Sequence, residues 1–174
     1  MIECERLRLR PFTLADAPDV ARLAGDALVA ETTLNIPHPY PPGAAEAWIG
    51  AHRAEWERGT ALNLALERRD DGALVGAIGL GVEREHARAE IGYWIGVPYW
   101  GSGYATEATR ALIAYAFDEL GLNRVYAYHV TGNPASGRVM QKAGMQLEGE
   151  LREHLRKGDE FRDSRLYGII RSDR

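Results

Sequence analysis

The amino-acid sequence predicts an α/β (α+β) fold: a central mixed, mostly antiparallel sheet of about seven strands, with helices on both faces. Three observations lead there. Stretches of alternating apolar residues, such as Leu62, Leu64 and Leu66, take turns with stretches whose apolar residues recur at helical spacing. Asp70-Asp71-Gly72 is a hairpin signal between two strand-like runs, so the early strands pair antiparallel. The helical stretch 104–120 lies between strand-like runs at 90–97 and 124–130, and a helical crossover makes two strands parallel neighbours. At 174 residues the chain has the usual size of one domain, and a single domain over residues 1–174 is expected.

Residues 6–10 alternate arginine with leucine, the pattern of a half-exposed edge strand. Thr13 followed by Asp16 resembles a capping box with Asp in place of Glu, which starts a helix over 14–25. Residues 36–43, IPHPYPPG, carry four prolines and are expected to form an extended surface loop. A second helix over 44–58 puts Trp48, His52 and Trp56 on one face. Residues 73–80 return from the hairpin as a strand. Within it Gly76 and Gly79, with Gly81 just beyond, mark a bend or a close approach to another backbone. Gly121 closes the long helix. Asn133 caps a short helix over 134–143, with Pro134 at the favoured first position and Gly144 past its end. Two last strands, 146–153 and 161–170, are joined by a turn at Lys157-Gly158-Asp159.

Composition narrows the function classes. The balance of charged and apolar residues is that of an ordinary globular protein. A net charge of −4 makes no case for nucleic-acid binding and mildly favours a cationic partner. Cys4 is alone, so no internal disulfide is possible, and a reducing, cytoplasmic setting is expected. No apolar run approaches the roughly 18 residues of a membrane span, and the N-terminus lacks a signal-peptide core. No membrane partner is expected. The five histidines never fall at metal-ligand spacing, so no metal site is expected either.

The run AEIGYWIGVPYWGSGYATEA, residues 89–108, carries the chemistry. It reads as a strand, then Pro98, which has no N–H for a ladder, then Gly101 and Gly103, then a helix from Tyr104. The first N–H groups of such a helix lack intrahelical partners, and with the positive end of the dipole they seat an anion. A turn that needs glycine only for its dihedrals has the same pattern, and both readings stay open here. A Walker-type loop is excluded because no Lys precedes a Ser or Thr at the helix start, and the dinucleotide fingerprint breaks at its third glycine.

This stretch resembles the acetyl-CoA-binding motif of the GNAT acetyltransferases, in which a strand runs into a glycine loop for the CoA pyrophosphate. The family pattern is Gln or Arg, then Gly, then Gly or Ala; the matching positions are Trp100, Gly103 and Ala105, so the leading residue departs from it. Trp in YWGSGYATEA is similar to the RimJ/RimL branch, which acetylates protein N-termini and has many small-molecule relatives. The resemblance implies a splayed parallel strand pair. It places Ile95 and Val97 beside the pantetheine amides, and Trp100, Gly101, Ser102, Gly103, Tyr104, Ala105 and Thr106 at the pyrophosphate. The second motif is NPASGRVMQKAGM, residues 133–145. There the resemblance gives Asn133 to the pantetheine arm or an ordered water, and Ser136 to the neighbourhood of the CoA sulfur. The tyrosine that reprotonates the thiolate in many members aligns with Met140, which cannot donate a proton. Arg138 and Lys142, one helical turn apart, either reach a CoA phosphate or form a solvated face.

Glu90 resembles the position of the catalytic glutamate in histone-type members, which gives a catalytic set of Glu90, Ser136 and Asn133. Two plainer readings stand beside these. A strand-edge Glu can simply pair with Arg88 or Arg124, and Asn before Pro is a common helix cap. The expected function is transfer of an acetyl group from acetyl-CoA, the only cosubstrate implied, to a primary amine by direct attack on the thioester. The amine is either a protein N-terminus, such as that of a ribosomal protein, or a small molecule. The alternative is a non-catalytic acetyl-CoA sensor or scaffold, to which Met140 points. The acceptor is expected between loop 36–43 and turn 156–160, with Tyr40 and Trp48 as contacts, although Trp48 also fits a core position. The protein is expected to be a monomer or homodimer.

Overall fold

The computed structural model describes residues 1–174. In chain order it contains β1 (Ile2–Glu3), β2 (Leu7–Pro11), α1 (Ala17–Ala24), α2 (Ala27–Thr32), α3 (Ala44–Glu57), β3 (Ala61–Arg68), β4 (Leu74–Glu83), β5 (Arg88–Ile95), α4 (Tyr104–Asp118), β6 (Arg124–Val130), α5 (Pro134–Lys142), β7 (Gln146–Lys157) and β8 (Glu160–Ile170). The strands form one eight-stranded sheet in the order β1-β2-β3-β4-β5-β6-β8-β7. Every ladder is antiparallel except β5 with β6.

The edge placement of residues 6–10 needs correction, and two short elements come in addition to those expected. The eighth strand is β1, whose two residues are too few to show any period. Because β1 pairs with β2, residues 7–11 lie second from the edge rather than on it, and Leu7 and Leu9 are fully buried. The six-residue helix α2 was also not foreseen. Its start is capped by the Asp26 carboxylate, which accepts from the Leu28 N–H at 2.9 Å. Its end is held from far along the chain: the Lys157 ammonium on β7 donates to the carbonyls of Glu31 and Thr33 at 2.9 and 2.8 Å, and also to Ala30.

Alternation along the strands sorts the two faces. Leu64 and Leu66 of β3 join one apolar cluster with Ala108, Leu112, Ala116 and Phe117 of α4 and Met140 of α5. Ala65 and Leu74 turn the other way, against Ala17, Val20, Leu23 and Ala24 of α1 and Ala45 and Ile49 of α3. Each fully buried Leu or Phe in these layers contributes about 1.5–3 kcal/mol, which is what fixes the strand register. The sheet therefore separates an α4/α5 face from an α1/α3 face.

The parallel ladder is short. It runs from Arg88 opposite Arg124 to Glu90 opposite Tyr126 and goes no further. Beyond it, β5 stays paired to β4 as far as Ile95, and β6 stays paired to β8 as far as Val130. The facing edges of residues 91–95 and 127–130 thus diverge. Gly76 of β4 helps set this course: a Cβ there would stand 2.2 Å from the Trp94 carbonyl oxygen, so only glycine lets β5 lie where it does.

Candidate active site

The divergence of β5 and β6 opens a window through the sheet, and a cavity lies on each side of it. The first, of about 470 Å3, is bounded by the glycine turn, the start of α4 and the side of α5. The second, of about 480 Å3, lies over β3–β6 and below α2 and the loop that follows it. Thr32, Thr33, Tyr93, Trp94, Asn133 and Ser136 line both. A molecule in one cavity meets a molecule in the other at these six residues.

The glycine turn fits an anion. Gly101 and Gly103 have φ of 76° and 82°, the left-handed region that an L side chain rarely adopts. The first intrahelical bond of α4 runs from the Glu107 N–H to the Gly103 carbonyl at 3.1 Å. The N–H groups of Tyr104, Ala105 and Thr106 are thus left without intrahelical partners, and no side chain caps them. A Cβ built on Gly101 would meet nothing within 4 Å, so the space before the turn is open. Arg138 and Lys142 line this cavity, neither forms a salt bridge with a carboxylate of the chain, and no Asp or Glu lines it. The acidic first-turn residue Glu107, which would repel an anion, is neutralised by Arg6 at 2.8 Å. The Arg6 guanidinium also donates to the Ser102 carbonyl at 2.8 Å, which ties the turn to the start of β2.

At the junction Asn133 acts as a cap and as a wall together. Its side-chain oxygen accepts from the Ser136 N–H at 3.3 Å, and its amide donates to the Thr32 carbonyl of α2 at 3.3 Å. The Tyr93 hydroxyl lies 2.9 Å from Ser136 Oγ. Burial pushes its pKa up to about 12, against a smaller opposing effect of the Ser136 hydrogen bond.

Glu90 stands at the last rung of the parallel ladder and lines the second cavity. The plain ion-pair reading of it does not hold: Arg88 is taken by Glu83 at 2.8 Å, and Arg124 is taken by Glu148. Its surroundings raise its pKa above the usual carboxylate range, first through desolvation and then through the Glu83 charge, with His154 opposing. Glu83 itself is held at about 2 by Arg88 and by the Tyr126 hydroxyl, which donates to it at 2.6 Å.

This arrangement matches a known family. The Acetyltransferase (GNAT) domain family model matches residues 6–146. An uncharacterized N-acetyltransferase of Bacillus subtilis, YoaA, is 32% identical over 98% of this chain and 97% of its own. The chain belongs to the GNAT acetyltransferases. The ribosomal-protein-serine acetyltransferase of Escherichia coli is 31% identical over 66% of this chain and 63% of its own. The structure of Mycobacterium smegmatis RimJ, solved with CoA-disulfide, superposes with a TM-score of 0.85 at 25% identity, covering 98% of this chain and 88% of that one. This GNAT protein is thus an N-acetyltransferase with acetyl-CoA as its donor, and no helix in it is long and apolar enough to cross a membrane.

Within this GNAT chain most of the residues singled out from sequence do gather. Ile95, Trp100, Gly101, Gly103, Tyr104, Ala105, Thr106, Asn133, Ser136, Arg138 and Lys142 line the first cavity, and Glu90 and Trp48 line the second. Three do not. Val97 lies past the end of β5 in a single 3-10 turn, where its carbonyl accepts from Trp100; the strand edge on the cavity is Tyr93, Trp94 and Ile95 instead. Ser102 lines neither cavity, and its carbonyl faces Arg6. Tyr40 packs against the α1/α3 cluster and lines neither cavity. Met140 is buried in the core and carries no polar group to the junction.

Two residues escaped the sequence reading. Tyr93 sits in the aromatic run GYWI, where it looks like any strand aromatic; the one available signal was its place in the same strand as Glu90. Arg6 had none, since Glu107 is 101 positions away.

Proposed function

We propose that this acetyltransferase moves the acetyl group of acetyl-CoA to a primary amine by direct attack on the thioester, within one domain spanning residues 1–174. One observation carries the reading. An anion-seating cavity free of carboxylates and a carboxylate-bearing cavity free of Lys and Arg meet at Tyr93, Asn133 and Ser136. Acetyl-CoA supplies the activated acetyl group. The turn at 101–106 holds its pyrophosphate on backbone N–H groups, with Arg138 and Lys142 alongside. The unpaired edges of residues 91–95 and 127–130 offer backbone hydrogen bonds to the pantetheine amides, in the manner of an added strand.

An amine is mostly protonated near neutral pH and must lose a proton before it can attack. Glu90, unpaired and with its pKa raised, takes that proton at its carboxylate, directly or through a water molecule. The leaving sulfur is met by the Tyr93 and Ser136 hydroxyls. A phenol near 12 gives its proton to a thiolate of ordinary thiol pKa, about 8.5, only uphill by several kcal/mol. Tyr93 and Ser136 therefore stabilise the departing sulfur by hydrogen bonding, and the proton that completes the thiol comes from solvent.

The non-catalytic alternative rests on Met140, the buried methionine in place of the family's usual tyrosine. Against it, Tyr93 brings a phenol to the junction from β5 that can hydrogen-bond the departing sulfur, so the chemistry does not require a proton donor at position 140. The acceptor is an amine of a protein N-terminus or a small molecule, and a cytoplasmic setting suits both. Thiol release from acetyl-CoA, followed against a panel of amines and short peptides, tests the reading. Release with at least one amine is expected; binding of acetyl-CoA with no release across the panel overturns it.

A further inference from the structure

The cavity that carries Glu90 has a second carboxylate with no assigned part in the reaction. Glu55 of α3 lines it, makes no salt bridge, and has one side-chain partner: Asn63 of β3, whose amide donates to its Oε2 at 3.1 Å. The other oxygen of Glu55 is free. Asn63 is able to hold it because Gly79 lies alongside. A Cβ on Gly79 would stand 2.5 Å from the Asn63 side-chain oxygen, so glycine there keeps the amide flat on the sheet.

Between the two carboxylates the floor is bare. In the strand register Asn63 lies opposite Gly79, Gly79 opposite Gly92, and Gly81 opposite Glu90. Gly79, Gly81 and Gly92 all line the cavity, and a Cβ on Gly81 or Gly92 would meet nothing within 4 Å. Neither has a positive φ, so backbone strain does not call for glycine at these two positions. What their missing side chains leave is open width. Glu55 reaches the cavity from α3, held to Asn63 of β3, and Glu90 stands on β5; β3 and β5 lie two inter-strand spacings apart, on the order of 10 Å. The walls include the apolar side chains of Ile36, Trp48 and Leu155, and no Lys or Arg lines the cavity to neutralise either carboxylate.

We infer that the acceptor is a dication: its reacting amine lies beside Glu90, and a second positive charge crosses the glycine floor to Glu55. The inference rests on the proposed amine acceptor and names its class. The recognised chemistry is a second ammonium or guanidinium separated from the reacting amine by an apolar spacer. A linear alkyl diamine supplies it, and so does a peptide whose N-terminal residue is followed by a basic one.

The test measures kcat/KM by thiol release for matched pairs: a linear alkyl diamine against the alkylamine of equal length, and a serine–lysine dipeptide amide against serine–norleucine. The dicationic member of at least one pair is preferred about tenfold, the worth of one charge-assisted hydrogen bond, and the preferring pair identifies the source. In Glu55→Gln, which keeps the shape and the Asn63 contact, that preference falls to near unity. Gly92→Val, a substitution that a strand accepts, raises the KM of the dication by filling the floor. A binding measurement runs in parallel: the dication raises the Tm of the wild-type protein with CoA, and not that of Glu55→Gln.

Equal turnover of both members of each pair, or a preference that survives in Glu55→Gln, overturns the inference while leaving the amine-acetyltransferase reading intact. A Glu55-dependent Tm shift without thiol release supports the dication and overturns the catalytic reading. No release and no shift overturns both.

Discussion

The two cavities share a junction yet are built by different means. The one at the start of α4 is made largely of backbone: two glycines with positive φ, three N–H groups without helical partners, and the bare edge of β5. Its residues from 95 to 106 come from one continuous run of chain. The one over β3–β6 is made of side chains gathered from α3, β3, β5, β6 and β7, among them Trp48, Asn63, Glu90, Tyr128 and Leu155. On the proposed reading, the backbone cradle serves the pyrophosphate, the part that every acetyl-CoA carries. A side-chain cleft can change its preference by single substitutions at positions such as Glu55, whose one side-chain partner is Asn63.

Breaking the backbone cradle has the largest expected effect. Gly103→Val must place a β-branched residue at φ 82° and bring its Cβ to 3.4 Å from the Arg6 guanidinium. Acetyl-CoA affinity, measured by calorimetry, is expected to fall at least about a hundredfold, or roughly 2.7 kcal/mol. The apo fold persists with a Tm a few degrees lower, since the strain of about 1–3 kcal/mol is local. Unchanged affinity would mean that the turn does not seat the pyrophosphate.

Glu90→Gln cuts the other side of the junction. A fall in kcat of about a hundredfold is expected, with acetyl-CoA KM unchanged. The pH profile gives the sharper reading. As the proposed base Glu90 works deprotonated, and its pKa is raised, so the wild-type rate is expected to drop as pH falls through a value above the ordinary carboxylate range. The Gln variant loses that limb. An acidic limb that is the same in both proteins assigns the proton to another group.

Tyr93→Phe removes a hydroxyl at the junction itself and leaves both cavities in shape. One lost hydrogen bond to developing negative charge costs about 1.4 kcal/mol, a tenfold drop in kcat. Because Tyr93 and Ser136 lie 2.9 Å apart, the double variant with Ser136→Ala is expected to fall by less than the product of the two. Additive losses would separate their roles.

The smallest effect belongs to Tyr40→Ala. Its ring packs on the α1/α3 cluster, so a loss of about 1–2 kcal/mol of stability is expected, read as a lower Tm, with both KM values unchanged. A rise in acceptor KM alone would extend the acceptor cleft from Ile36, which already lines it, along the proline loop to Tyr40.

Much of this was legible along the chain because the physics is local. The hairpin turn at Asp71-Gly72, the αL glycines before α4 and the cap at Asn133 follow from dihedral preferences and hydrogen bonds within a few residues, and they lie where the residues indicated. That the strands at 90–97 and 124–130 are parallel neighbours followed from the helical crossover between them, although the ladder itself joins only 88–90 to 124–126. The errors came where an element is short. β1 and α2 have two and six residues, and α2 is held by Lys157, more than a hundred positions away, which no window of sequence contains.

The sequence by itself determined the family resemblance, the order of the main elements and the cradle at 101–106, since each is written in adjacent residues. Only the tertiary structure decided which carboxylates are spent on ion pairs and which stand free. Glu83, Glu107 and Glu148 are taken by Arg88, Arg6 and Arg124, while Glu55 and Glu90 are left facing a cavity. It also brought Tyr93 onto Ser136 and laid three glycines side by side across two strands. Charge pairing and strand register depend on distance in space, and sequence separation carries almost none of that information.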